Sequence, residues 1–292
     1  GRGMRRCDTV EEVGTNFDLV KAEAKKAFGN DDIFMEKYLV EPKHIEVQIL
    51  ADKYGNVYHL GERDCSMQRR NQKVLEEAPS PASFMNEELR AKMGKAACTA
   101  AKVCGYRNAG TIEFLVDKNG EFYFMEMNTR IQVEHPITEA VTGVDLVKQQ
   151  LLIASGQRLS IKQEDIKLTG HAIECRINAE NPLLDFRPSP GRIKSLFIPG
   201  GPGIRVDTAV YQGYEIPPYY DSMIGKLIVH GKNREEAIAK MTWALSEFIV
   251  DGVATNVDFQ LKLIRRPEFL EGNYDNGFLN RTDILADERS KE

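Results

Sequence analysis

Thr111-Ile112-Glu113-Phe114-Leu115-Val116, then Asn119-Gly120, then Phe122-Tyr123-Phe124-Met125-Glu126-Met127 is the stretch that decides how this chain is read. Two runs of β-branched and aromatic residues flank Asn-Gly, the dipeptide that accepts positive φ at both central positions of a two-residue hairpin turn. Facing residues are then symmetric about the Asn119–Gly120 bond, which sets Glu113 opposite Glu126. Like charges facing each other across a sheet repel, so the pair invites a divalent cation, and an all-oxygen set favours magnesium or manganese over zinc. Asn128, two residues further on the same face, supplies a third oxygen. From this stretch alone a longer turn, or a pair standing in solvent, is the competing reading.

Working outward, the second strand runs into Asn128-Thr129-Arg130-Ile131-Gln132-Val133-Glu134-His135-Pro136. Charged and amide groups at the end of a strand that carries metal ligands mark a site. Arg130 is suited to clamping a small planar anion, and Glu134 to serving as a general base. An ion pair between Arg130 and Glu134 at helical spacing is the structural alternative.

Upstream, Ile45, Val47 and Ile49 alternate with His44, Glu46 and Gln48 and turn at Tyr54-Gly55-Asn56 into a second strand. Glu62-Arg63-Asp64-Cys65-Ser66-Met67-Gln68-Arg69-Arg70-Asn71-Gln72-Lys73 follows as a cation-rich loop suited to an anion, or else a solvated charge run. Residues 86–103 predict a helix capped by Asn86, with Leu89, Met93, Ala96, Ala97 and Ala100 on its apolar face and Gly105 just past its end. Residues 1–38 lean helical, with Ala22, Ala24, Ala27 and Phe28 as the apolar points. Gly1-Arg2-Gly3-Met4-Arg5 fits the tail of a glycine-rich phosphate loop.

Past Gly156 the character changes, and a boundary is expected between Gly156 and Thr169. His171 to Asn178 alternates as a strand with Glu174, Arg176 and Asn178 on its polar face; Arg176 there either stabilises a developing oxyanion or forms a structural ion pair. Pro188 to Gly203 supplies turns, Met223 to Val229 a buried strand, and Asn233 with Glu236 caps a helix whose apolar face is Ala237, Met241, Leu245 and Phe248. His59 and His230 read as satisfied structural histidines.

A hydrophobic content of 42% over 292 residues supports one large domain or two ordinary ones. A net charge of −5 without a basic block excludes a phosphate-backbone partner, so no nucleic acid is expected. No apolar run approaches a membrane span. Five cysteines, Cys7, Cys65, Cys98, Cys104 and Cys175, have no C-x-x-C spacing, which argues against a disulfide framework or zinc site and for a reducing, cytoplasmic setting. The chain opens on Gly1 rather than Met, which suggests a non-native start.

Gly1-Arg2-Gly3-Met4-Arg5, Glu36-Lys37-Tyr38-Leu39, Arg63-Asp64-Cys65-Ser66-Met67-Gln68-Arg69-Arg70, Glu126 to Pro136 and Pro217-Pro218-Tyr219-Tyr220-Asp221-Ser222-Met223 together closely resemble biotin carboxylase. The resemblance covers essentially the whole chain, in the family's order. It implies an α+β chain: a partial ATP-grasp fold over residues 1–156, with 1–38 a remnant of the lid subdomain, followed by a biotin carboxylase carboxyl-terminal α/β domain over 157–292. It also implies that the family's amino-terminal domain and two upstream ATP-binding lysines lie outside this sequence.

The implied enzyme is an ATP-dependent ligase that carboxylates biotin with bicarbonate through carboxyphosphate. By resemblance, Glu113, Glu126 and Asn128 hold magnesium or manganese, Glu36, Lys37 and Leu39 meet adenine, and His44 and Gln68 line the nucleotide pocket. Lys73, Arg130, Gln132 and the amide of Val133 hold bicarbonate, Glu134 deprotonates it, and Arg176 stabilises the biotin enolate. Asn71 stands where the family usually has histidine. The implied partners are a biotin carboxyl carrier protein, carboxyltransferase subunits and a second copy in a homodimer. The leading setting is acetyl-CoA carboxylase, in fatty acid synthesis. Pyruvate, propionyl-CoA and methylcrotonyl-CoA carboxylases are alternatives, as is a non-catalytic fragment kept for dimerisation or carrier binding.

Overall fold

The computed structural model describes residues 3–289 and divides them into two compact units, one through Val40 and one from Glu41. Gly1 and Arg2, the start of the expected phosphate loop, lie outside the described residues. The first unit is built on helix α1 (Val10–Phe28). Thr9 caps it, accepting from the Glu12 amide; Glu11 and Glu12 stand in its first turn, Lys25 and Lys26 in its last, and Gly29 at φ 73° ends it. Ala24 is buried as expected, but Phe28 is exposed. Glu36, Lys37 and Leu39 follow on an irregular segment of the same unit.

The second unit is organised by one sheet of eight strands, every pairing antiparallel. Its strands are β1 (Lys43–Ala51), β2 (Val57–Arg69), β3 (Gln72–Ala78), β4 (Asn108–Val116), β5 (Phe122–Asn128), β6 (His171–Asn178), Ile204–Thr208 and Met223–Gly231. The order across the sheet is Ile204–Thr208, Met223–Gly231, β6, β3, β2, β1, β4, β5. Because β6 pairs with β3, the sheet draws on residues from both sides of the Gly156–Thr169 segment.

Alternation gives the sheet two faces. On one, Ile45, Val47, Ile49, Ile112, Phe114 and Val116 pack on α2 (Glu87–Val103), while Leu75, Ile173, Cys175, Leu227 and Val229 join a core with α5 (Arg234–Glu247) and α6 (Val257–Ile264). Asn86 caps α2 by accepting from the Leu89 amide at 2.9 Å, and Asn233 caps α5 through Glu236 at 2.9 Å. On the other face α4 (Leu146–Ala154) packs on Leu50, Leu60 and Ala109, while the part met by α3 (His135–Thr142) carries buried polar side chains beside a small apolar cluster of Ala78, Ala172 and Ile228. Burial of those polar groups under helices is the feature that makes a site there.

The β4–β5 hairpin differs from the sequence expectation in an instructive way. Its loop has three residues rather than two: Val116 pairs with Phe122, Asp117 bonds Glu121, and Gly120 takes φ 82°. That displaces the register by one, and a bulge at Met125 then displaces it back, so Glu113 does face Glu126. The cation-rich stretch 62–73 is likewise a hairpin rather than a loop, with Arg70 and Asn71 at φ 50° and 62° forming its turn. Asparagine accepts that left-handed geometry more readily than most residues, which suits Asn71 to the position.

Candidate active site

Strands from across the sheet send polar groups to the α3 face, and most of the residues singled out by sequence meet there. Lys73, at the start of β3, donates to Glu46 Oε2 at 2.5 Å, Glu113 Oε1 at 2.9 Å and Glu134 Oε1 at 2.7 Å. Three carboxylates converge on one ammonium, so although burial opposes its charge, Glu46 above all holds the Lys73 proton far more tightly than in water. Glu134 is the cap residue of α3, 1% exposed, and its second oxygen accepts from Arg176 Nη2 at 3.1 Å. Arg176 also donates through Nε to Glu76 Oε1 at 2.6 Å.

Beneath this lies Arg63, fully buried, with five donors and five partners. Nε meets Glu46 at 2.5 Å; Nη1 meets Gln48 and Thr138 at 2.7 and 3.0 Å; Nη2 meets Thr111 and Gln132 at 3.2 and 3.0 Å. Gln132 in turn donates to Glu113 Oε1 at 2.7 Å. Arg63 thereby fixes β1, β2, β4, α3 and the loop before α3 in one network. Burial disfavours the Glu46 carboxylate, but Arg63 and Lys73 outweigh it and hold that group well below the usual range.

At the β4–β5 end of this cluster, Asn128 Nδ2 lies 3.0 Å from Glu113 Oε1 and 3.1 Å from Glu126 Oε1. His44 Nε2 lies 3.1 Å from Glu113 Oε2; burial alone would lower its affinity for a proton, but Glu113 and Glu46 raise it to about 9. Glu126 is exposed, whereas Glu113 is buried with four side-chain neighbours.

Other sequence candidates sit differently. Arg130 is exposed and donates to the Ile131 carbonyl, so the ion pair with Glu134 does not form. The Val133 carbonyl accepts from Lys226 at 2.8 Å. Gln68 is buried and donates to the Cys65 carbonyl. Arg176 pairs with Glu76 and Glu134, not with its strand neighbour Glu174. His230 meets the Thr169 carbonyl at 2.8 Å as expected, but His59 Nδ1 is buried without a partner, so the expectation of a satisfied His59 fails.

Sequence reasoning gave no role to Glu46, Arg63, Glu76 or Lys226. The signal for Glu46 was present: it sits between His44 and Gln48 on the polar side of a strand. Nothing in one sequence says that this side is covered.

Residues 1–162 match the family model described as the carbamoyl-phosphate synthase L chain, ATP binding domain, and residues 174–281 match that of the biotin carboxylase C-terminal domain. The chain belongs to the biotin carboxylase family. Among members of that family, it is 56% identical over 98% of its length to Biotin carboxylase 1 of Bacillus subtilis, covering 63% of that protein. It is 55% identical over 96% of its length to a pyruvate carboxylase subunit of Methanothermobacter thermautotrophicus, covering 56% of it. The crystal structure of the biotin carboxylase domain dimer of Hydrogenobacter thermophilus 2-oxoglutarate carboxylase, in complex with MgADP, ADP and bicarbonate, superposes with a TM-score of 0.89 at 51% identity; 96% of this chain and 61% of that one are covered. The chain thus spans about three-fifths of the length of these biotin carboxylase relatives. Among the described residues no helix is long and apolar enough to cross a membrane.

Proposed function

We propose that the protein containing this chain carboxylates biotin with ATP and bicarbonate. The observation that carries the reading is Glu134, a buried carboxylate held between Lys73 and Arg176. Two cations around one carboxylate make a place where a small anion is bound, oriented and deprotonated. In this reading Lys73, Arg130, Gln132 and the Val133 amide hold bicarbonate, and Glu134 takes its proton. The bicarbonate oxygen attacks the terminal phosphorus of ATP, ADP leaves, and the carboxyphosphate formed separates into carbon dioxide and phosphate. Phosphate removes the proton from biotin N1, which attacks carbon dioxide while Arg176 stabilises the enolate oxygen.

Glu113 and Glu126, facing each other, fit a hard cation through their carboxylate oxygens, whereas Asn128 turns its Nδ2 to both of them and would ligate only with its amide turned to present Oδ1. Magnesium or manganese held there would neutralise charge on the nucleotide phosphates. His44 and Gln68 are assigned to the nucleotide pocket, and Glu36, Lys37 and Leu39 to adenine, by the resemblance.

For the acyl acceptor, acetyl-CoA carboxylase is the proposed setting, with biotin on a separate carrier protein, carboxyltransferase subunits as partners, a homodimeric carboxylase and a cytoplasmic location. A relative at 56% identity carries the name Biotin carboxylase 1. The competing setting is a 2-oxoacid carboxylase, because a relative at 55% identity is named for pyruvate carboxylase.

The test extends the chain at its amino end to the length of its relatives and measures bicarbonate-dependent ATP hydrolysis with free biotin and magnesium. Biotin-stimulated hydrolysis is expected; its absence from a folded extended chain would overturn the reading in favour of a binding role. Carboxyl transfer to acetyl-CoA or to pyruvate by the reconstituted complex decides between the settings.

A further inference from the structure

Glu174 stands on the polar face and has no part in the proposed chemistry. It lies in the middle of β6, fully buried, and neither of its oxygens has a partner. Its cross-strand neighbours are Glu76 on β3 and Ile228 on the Met223–Gly231 strand. Directly opposed residues share a face with Cβ atoms about 5 Å apart, so the Glu174 and Glu76 carboxyls stand side by side. Around them Ala78, Ile137, Val141, Ala172 and Ile228 form a small apolar cluster.

A third orphan completes the picture. Glu76 uses Oε1 to accept from Arg176 Nε, and its Oε2 is buried without a partner. Two ionised carboxylates in adjacent positions, in an apolar setting, are prohibitive, whereas one proton between them satisfies orphans on both sides. Other charged groups facing the pair are Arg176 on the same strand, Lys226 opposite Arg176, Glu134 at the head of α3, and Lys73. Lys226 is turned to the Val133 carbonyl and Asp207, and Lys73 to three other carboxylates, so neither neutralises Glu174.

We propose that Glu174 is a protonated positioning residue: its hydroxyl donates to Glu76 Oε2, and the carboxylate so fixed aims the Arg176 guanidinium at the reacting centre. Burial, with the neighbouring Glu76 charge adding to it, drives Glu174 well above the ordinary carboxylate range. Burial likewise raises Glu76 to about 7, less far because Arg176 opposes it. Of the two, Glu174 is therefore the one that keeps the proton at neutral pH. Within the pair, Glu76 is the carboxyl bonded to a guanidinium that prefers its ionised form.

The kinetic arm rests on the function proposed above; the spectroscopic arm does not. In the extended chain at neutral pH, infrared difference spectra of wild type, Glu174→Gln and Glu76→Gln are compared for the carbonyl absorption of a protonated carboxyl. The proposal expects that band in wild type and its loss in Glu174→Gln. A wild type without the band, or a Glu174→Gln that retains it, overturns the proposal. Glutamine keeps the volume and an N–H donor, so Glu174→Gln is expected to hold the KM for biotin within about twofold, whereas Glu174→Leu, which strands Glu76 Oε2, raises it about tenfold or more. In both variants bicarbonate-dependent ATP hydrolysis without biotin stays near wild type. A folded Glu174→Leu with an unchanged biotin KM overturns the positioning role. If wild type itself shows no biotin-dependent turnover, the function proposed above fails, and the infrared comparison still locates the proton.

Discussion

Glu134 and Lys73 are joined at 2.7 Å, Oε1 to Nζ, in a setting where both are largely shielded from water. In the proposed reading Glu134 is the base, and its contact with Lys73 must open to admit bicarbonate, which the same ammonium then serves. Glu134→Gln keeps the volume but can neither take up a proton nor accept from both Lys73 and Arg176, because one of its two terminal atoms is an amide donor. In the extended chain its bicarbonate-dependent ATP hydrolysis is expected to fall about 10²- to 10⁴-fold, the usual contribution of a general base, with nucleotide affinity little changed. Retention of most of the activity would remove Glu134 from the role of base.

Arg63 matters to the fold before it matters to chemistry. Its five bonds reach Glu46, Gln48, Thr111, Gln132 and Thr138, and its side chain is wholly buried. Arg63→Met leaves Glu46 buried with Lys73 and His44 as its remaining close cations and is expected to cost about 3–5 kcal/mol of stability. Arg63→Lys is not expected to recover it, since a lysine at this position lacks the planar five-donor fork. Urea denaturation of both variants checks this, and a lysine variant as stable as wild type would show that charge alone suffices.

The hairpin explains why part of the site was legible in sequence and part was not. Glu113 opposite Glu126 follows from assuming a two-residue turn at Asn119-Gly120, yet the turn has three residues and Met125 bulges. Two local departures cancel, so the pairing survives although its derivation does not. Capping residues such as Asn86 and Asn233 are written in their own neighbourhoods and were readable. Arg63, Glu46 and Glu76 are different: their partners stand between 15 and 100 positions away. They matter because α3 covers their face of the sheet, which is a fact of tertiary structure. Glu36, Lys37 and Leu39 rested on resemblance alone, since an irregular segment has no period from which contacts can be inferred.

The two facing carboxylates are expected to separate under mutation. Glu113 is buried and bound to His44, Lys73, Gln132 and Asn128, whereas Glu126 is exposed beside Asn128. Glu126→Gln should raise the magnesium concentration needed for half-maximal ATP hydrolysis about 10- to 100-fold, as expected for loss of one charged contact, with unfolding unchanged. Glu113→Gln should raise it as much and also destabilise the chain. Magnesium titrations paired with denaturation curves distinguish the two, and a Glu126→Gln variant with wild-type magnesium dependence would show that Glu126 does not bind the ion.

Glu77, next along β3 from the Glu76 of the polar face, predicts how the fold responds to acid. Its buried carboxylate accepts from His171 Nε2 at 2.7 Å, from Arg234 Nε and Nη2 at 2.8 and 3.1 Å, and from the Tyr274 hydroxyl, tying β3 to β6, to the head of α5 and to the segment after α6. Burial opposes its charge, but His171 and Arg234 outweigh burial and lower it to about 2. A carboxyl depressed by folding stabilises fully above its unfolded value of about 4.3, and that stabilisation drains away as pH falls through about 2. The contribution at neutral pH is on the order of 3 kcal/mol. Glu77→Gln should therefore be less stable than wild type by a similar amount at pH 7, and the gap should narrow between about pH 4 and pH 2 as wild type takes up the proton. Urea midpoints measured across that range decide it: a gap that stays constant down to pH 2 would mean that Glu77 acts through shape rather than charge.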